Sequence, residues 1–241
     1  MLVDAHNHIG EKKGVSFSAE QLIKKMDQNS IDKSIVCCFP EQLNNDYIFK
    51  SVRKYPDRLV GFATINPWQT TAEQELVRAI EEYDAQGLKL HPVKHGYALD
   101  NHSILDPLFE ICSKNKLPIL VYGGANVLSC PNMAEEMAMT YPDVAILLAH
   151  GGQMYETKSA IGVAKRQKNI YIETSAMFAH RINSLLKEEM LSKIVFGTDM
   201  PYGDHTLEIE KIKMCVTAPE QQEQIFSGNI RRIFEERGRR L

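Results

Sequence analysis

The chain has 241 residues, of which 44% are hydrophobic and 24% charged, the proportions of an ordinary globular domain. Its 28 Lys and Arg against 31 Asp and Glu leave a net charge of −3, which excludes the strongly basic face of a nucleic-acid or anionic-membrane binder. No apolar run is long enough to span a bilayer, and an odd count of five cysteines without a C-x-x-C pair fits a reduced cytoplasmic protein.

Short apolar runs rich in branched residues predict strands near Leu2–His8, Ser34–Phe39, Leu59–Ile65, Gly87–His91, Pro118–Tyr122, Ala145–His150, Ile170–Thr174 and Ile194–Asp199. Cys37 and Cys38 fall inside the second run and read as core. Amphipathic patterns predict helices between the strands. The first opens at Ser18, with Gln21 three residues on as a capping box, and the others lie near Asn45–Lys54, Ala72–Ala85, Leu105–Lys114, Met133–Thr140, Ala160–Lys168 and Ile182–Met190. Ser227-Gly228-Asn229 reads as a stop and a cap before a last helix through Ile230, Ile233 and Phe234. Its arginines (Arg231, Arg232, Arg237, Arg239, Arg240) alternate with Glu235 and Glu236, as on a solvated helix.

The strand starts are roughly 25 to 32 residues apart, the size of one βα unit. Continuous apolar strands such as Ala145-Ile146-Leu147-Leu148 suit a parallel sheet covered by helices. Eight such units in one unbroken domain, residues 1–241, predict an α/β fold of the (β/α)8 TIM-barrel type. Active sites of such barrels sit at the carboxyl ends of the strands, and that is where the polar residues gather. His6 and His8 end the first strand, two apart and therefore on one face. Trp68 follows the third, Lys89 and His91 end the fourth, Tyr122 the fifth, His150 the sixth, Glu173 the seventh and Asp199 the eighth. A lone strand-end histidine is commonly a hydrogen-bonded structural residue, but two imidazoles on one strand face beside a carboxylate have few structural uses. His6, His8 and Asp199 are therefore candidate ligands of one divalent ion. Glu173 reads as a supporting or core polar residue. Lys89, Trp68 and Tyr122 read as substrate contacts, and His95, His102, His180 and His205 as surface residues by default.

Asp4-Ala5-His6-Asn7-His8, Gly87-Leu88-Lys89-Leu90-His91-Pro92, Leu148-Ala149-His150-Gly151-Gly152, Phe196-Gly197-Thr198-Asp199-Met200-Pro201 and Gly228-Asn229-Ile230-Arg231-Arg232 resemble the signature blocks of the amidohydrolase superfamily. More narrowly they resemble its amidohydrolase-2 branch, which includes decarboxylases of aminocarboxymuconate semialdehyde and resorcylate. The resemblance runs the length of the chain. It implies a metal-dependent barrel with His6, His8 and Asp199 as ligands, His150 as a catalytic residue and a homodimer as the usual assembly. In that branch the fifth strand usually ends in a metal-binding histidine, where this chain has Tyr122. His91 is the substitute expected from the adjacent strand, with His150 as an alternative ligand.

The expected chemistry is that of zinc with imidazole and carboxylate ligands. Such an ion lowers the pKa of a bound water toward ~7. Asp199 would take the water's proton, and His150 would polarise the carbonyl of a small amide, lactone or ester. Two further readings stand beside this hydrolase. One is a non-oxidative decarboxylase of a small aromatic or unsaturated acid, and the other a barrel that has lost catalysis and serves as a binding protein. The expected partner is a small-molecule substrate, with neither nucleic acid nor membrane.

Overall fold

The computed structural model describes every residue except Met154 and Arg240. Eight parallel strands follow one another round a single sheet: β1 (Val3–His8), β4 (Lys33–Cys37), β5 (Leu59–Thr64), β6 (Gly87–Leu90), β7 (Ile119–Tyr122), β8 (Ile146–Ala149), β9 (Ile170–Glu173) and β10 (Ile194–Val195). A short antiparallel hairpin, β2 (Gly10–Lys12) and β3 (Val15–Phe17), follows the first strand and was not foreseen in the sequence. The helices are α1 (Ala19–Gln28), α2 (Asn45–Lys54), α3 (Ala72–Tyr83), α4 (Pro92–His95), α5 (His102–Lys114), α6 (Pro131–Thr140), α7 (Thr157–Arg166), α8 (Ala179–Lys187), α9 (His205–Cys215), α10 (Pro219–Glu223) and α11 (Asn229–Glu235). The chain is a TIM barrel, as its strand rhythm predicts.

The helix starts follow local chemistry. At α1 the Ser18 hydroxyl accepts from the Gln21 N–H at 3.2 Å, while the Gln21 side chain accepts from the Ser18 N–H at 2.7 Å. Asn44 and Asp204 cap α2 and α9 through their side-chain oxygens. The expected stop at Ser227-Gly228 does not occur. Gly228 is helical, with φ −57°, and the chain runs from α10 into α11 through one wide π-helical turn. Asn229 is no cap either: its side-chain amide donates to the Leu191 and Ile194 carbonyls at 2.8 and 2.7 Å, tying the helix to the foot of β10.

The last helix is solvated along Arg231, Glu235 and Glu236 only. Ile230, Ile233 and Phe234 are buried with Val3, Ile35, Phe62, Leu120 and Val195 in the barrel's inner core. Arg232 donates to the Ser192 carbonyl at 2.6 Å and Arg239 to that of Asn115 at 2.7 Å, so these arginines fasten the helix to the barrel's lower rim. Arg240 lies outside the described residues. A second, larger core of the outward strand faces and the inward helix faces surrounds the sheet. All five cysteines are free, with Cys37 and Cys38 buried as expected. Among the described residues no helix is long and apolar enough to cross a membrane.

The seam between the first and last strands positions the site. Ala5 N–H donates to the Phe196 carbonyl at 3.0 Å, Asp199 N–H to that of His6 at 2.8 Å, and His8 N–H to that of Met200 at 2.7 Å. Asp4, fully buried, braces this seam: it accepts from the Thr198 N–H at 3.0 Å, from the Thr198 hydroxyl at 2.6 Å and from the His6 N–H at 3.2 Å. His205, expected on the surface, is buried with Nε2 3.2 Å from the same carboxylate. Asp4→Ala leaves these donors buried without an acceptor. It is expected to cost about 2–4 kcal/mol in thermal or denaturant unfolding. Unchanged stability would show that the seam holds without its brace.

Candidate metal centre

A shift of register between Asp4 and Asn7 interrupts the pairing of β1 with β4. Val3 and Ala5 belong to the inner core, and beyond the shift His6 and His8 face the pocket at the carboxyl end of the barrel. There His6 Nε2 and His8 Nε2 stand 3.2 Å apart, and Asp199 Oδ1 is 3.4 Å from each. Both rings are fixed from behind. His6 Nδ1–H donates to Glu173 Oε2 at 3.0 Å, and His8 Nδ1–H to the Cys38 carbonyl at 2.6 Å. A neutral imidazole has one proton, so each Nε2 offers a lone pair. Burial, reinforced by the neighbouring Lys89 and His150, holds His6 well below the usual imidazole range. Burial, then His6 and Lys89, does the same to His8.

Two imidazole lone pairs and a carboxylate oxygen thus face one point. Donors about 2.1 Å from a tetrahedral ion lie about 3.4 Å from one another. The observed separations of 3.2, 3.4 and 3.4 Å match that edge, so the residues fit a small divalent cation. With nitrogen and oxygen donors and no thiolate, the set does not select zinc over manganese or cobalt.

His6, His150 and Glu173 form a second converging group that shares His6. Its link is Ser175, which the sequence did not single out. The Ser175 hydroxyl donates to Glu173 Oε2 at 2.7 Å, so its oxygen accepts from His150 Nδ1 at 3.0 Å, beside the Ser175 carbonyl at 3.2 Å. His150 therefore keeps its proton on Nδ1 and has Nε2 free as an acceptor. Burial, opposed by Glu173, lowers its pKa to about 4. Two residues of the site stand in left-handed backbone, His150 at φ 65° and Asp199 at φ 58°.

The pocket, about 190 Å³, is lined by His6, His8, Lys89, His91, Tyr122, His150 and Asp199, with Lys12, Lys94 and Tyr202 also on its wall. Lys89 is fully buried and its Nζ lies 2.9 Å from His6 Nε2. His91 does not join the converging donors. Its Nδ1 accepts the Lys94 N–H at 3.3 Å, capping α4, and its ring stacks on Tyr122 at 4.4 Å between centroids. Burial and the nearby Asp199 raise the Tyr122 phenol above its ordinary value, so it stays a protonated donor and a poor ligand. Trp68 is 54% exposed and lies on a separate surface groove with Pro67 and Thr70, away from the pocket.

A barrel with this cluster at the carboxyl end of its strands defines a class of metal-site barrel enzymes. Residues 3–235 match the amidohydrolase-2 family model, described as amidohydrolase, and the chain belongs to that family. Solved structures give the same fold. An uncharacterised TIM-barrel protein of Bordetella bronchiseptica aligns with TM-score 0.82 at 17% identity, covering 99% of both chains. The 2,6-dihydroxybenzoate decarboxylase of Rhizobium aligns with TM-score 0.78 at 16% identity, covering 98% of both. A probable 2-pyrone-4,6-dicarboxylic acid hydrolase of Acinetobacter baumannii aligns with TM-score 0.75 at 15% identity, over 97% of this chain and 99% of that one. No curated protein matches the chain by sequence.

Burial, with the Glu173 and Asp4 carboxylates adding to it and Lys89 opposing, pushes Asp199 up to about 8. The two histidines are already neutral, so below that pH a bound cation displaces one proton, from Asp199. Metal affinity should therefore rise about tenfold per pH unit up to about pH 8 and then level off. Calorimetric titration with manganese or zinc in a pH series checks this, and Asp199→Asn should lose the slope together with affinity. Separately, Glu173→Gln should weaken metal binding about 10–100-fold by disturbing the proton position on His6; equal affinity would show that His6 needs no such partner.

Proposed function

We propose that the protein is a hydrolase of small carbonyl compounds (an amide, lactone or ester) that uses one divalent ion held by His6, His8 and Asp199. The observation that carries this reading is the convergence of the three donors at metal-ligand spacing on the pocket wall. When bound, the ion supplies Lewis acidity to a carbonyl oxygen and to a water molecule. The chain's own residues supply the proton transfers. Asp199 takes the attacking water's proton and returns it to the leaving group. His150 Nε2, an acceptor in the tautomer that Ser175 enforces, orients that water. This role differs from the carbonyl-polarising one expected from the sequence, which needs a proton on Nε2. The donors available for the developing oxyanion are instead the Tyr122 hydroxyl and the Lys89 ammonium. The free cysteines support a cytoplasmic place of action.

Decarboxylation is the second reading, supported by the likeness to the Rhizobium decarboxylase and by a pocket with three lysines on its wall. Product analysis separates the two: metal-loaded protein is given small lactones, amides, esters and aromatic acids. Ring opening or acid release marks a hydrolase, and carbon dioxide a decarboxylase. Turnover of neither by fully loaded protein would reject both. In whichever assay responds, His150→Gln is expected to reduce kcat about 100-fold or more with metal content unchanged. Tyr122→Phe is expected to reduce it about tenfold. Normal turnover in His150→Gln would remove that residue from the reaction.

A further inference from the structure

The mouth of the pocket already displays a carboxylate between two lysines. Lys94 Nζ donates to Glu41 Oε1 at 2.8 Å, and Lys12 Nζ lies 3.4 Å from the same oxygen. Lys12 comes from the hairpin strand β2 and Lys94 from α4, and both line the pocket that holds His6 and His8. Lys12 Nζ sits 4.6 Å from the centre of the Tyr202 ring and 5.5 Å from that of Phe39. Those two rings pack on His8 at 6.0 and 5.6 Å between centroids, so one aromatic ring separates the ammonium from a histidine of the metal site. Two cations share one anion, which leaves the rim with positive charge in excess. Lys94 is 47% exposed and Glu41 31%, so a solute can reach and exchange with the pair.

We propose that Lys12 and Lys94 are the specificity-determining pair of this site, binding a second carboxylate of a dianionic substrate, and that Glu41 is an internal occupant which this carboxylate displaces. The proposal rests on the proposed function, in which the reacting end of the substrate meets His6, His8 and Asp199. The Glu41 contacts show the bond type that a substrate would inherit: a carboxylate oxygen taken by two ammonium groups. A monocarboxylate engaged at the metal end leaves Glu41 in place. A small dicarboxylate reaches both ends, and a Lys–substrate pair replaces a Lys–Glu pair. Specificity then comes from a difference between anions rather than from pocket size.

The test measures equilibrium binding of two inert probes, benzoate and isophthalate, to the full chain with and without manganese. Wild type is expected to bind isophthalate about tenfold or more tightly than benzoate. Lys12→Gln and Lys94→Gln should each remove about fivefold of that preference while leaving benzoate binding and metal content unchanged. Glu41→Gln should tighten isophthalate binding about two- to fivefold by freeing both lysines. Equal binding of the two acids by wild type, a preference that survives both lysine substitutions, or weaker isophthalate binding in Glu41→Gln would each overturn the proposal. The last would make Glu41 a support for the lysines rather than their occupant. A lysine-dependent preference in protein that takes up no metal retains the rim assignment and rejects the metal-dependent function. Metal uptake without that preference does the reverse.

Discussion

The hydrogen bond from His6 to Glu173 spans the barrel from its first strand to its seventh, and the site depends on it. It decides which nitrogen of His6 carries the proton, and so which one has a lone pair to offer. The same carboxylate receives the Ser175 hydroxyl, which in turn fixes the proton of His150. One buried carboxylate thus sets the tautomers of two imidazoles. The arrangement needs space: a Cβ on Gly197 would lie 2.3 Å from Glu173 Oε1, so only a glycine before Thr198-Asp199 lets the acid lie there.

Burial does opposite things to the groups around this bond, and both would favour a bound cation. It keeps His6, His8 and His150 neutral and raises Asp199, so the charge deep in the pocket is small and that of Lys12 and Lys94 stays at the rim. Lys89 is the exception. Its ammonium approaches the His6 lone pair to 2.9 Å, the same lone pair a metal would take. An ion at this site would therefore compete with the ammonium for one acceptor.

The barrel was legible in the sequence because its strands are buried on both faces and read as unbroken apolar runs at a regular interval. The missing pieces follow from short range or weak pattern. The β2–β3 hairpin has only three residues a side, too few for an alternation to show. Helix α9 escaped notice because its apolar residues do not keep to one face: Ile209 and Ile212 are buried while Leu207 and Met214 are exposed. Ser227-Gly228-Asn229 carries local stop signals that the tertiary contacts of Asn229 overrule. At the site, His6, His8, His150 and Asp199 were legible from their places at strand ends. His91 lines the pocket without joining the converging donors and Trp68 lies off it, since strand-end position does not fix the direction of a side chain. Ser175, Lys12 and Glu41 carry no signal of their own, for their roles exist only once distant segments meet.

His150 and Asp199 both hold left-handed backbone, a conformation that costs a side-chain-bearing residue of order 1–3 kcal/mol and glycine almost nothing. The chain would be more comfortable with glycine at either place, but the pocket would lose an imidazole or a carboxylate from its wall. Folding and chemistry therefore pull these two positions in opposite directions. A search that rewards only heat resistance would drift toward a sturdier barrel with an emptier mouth.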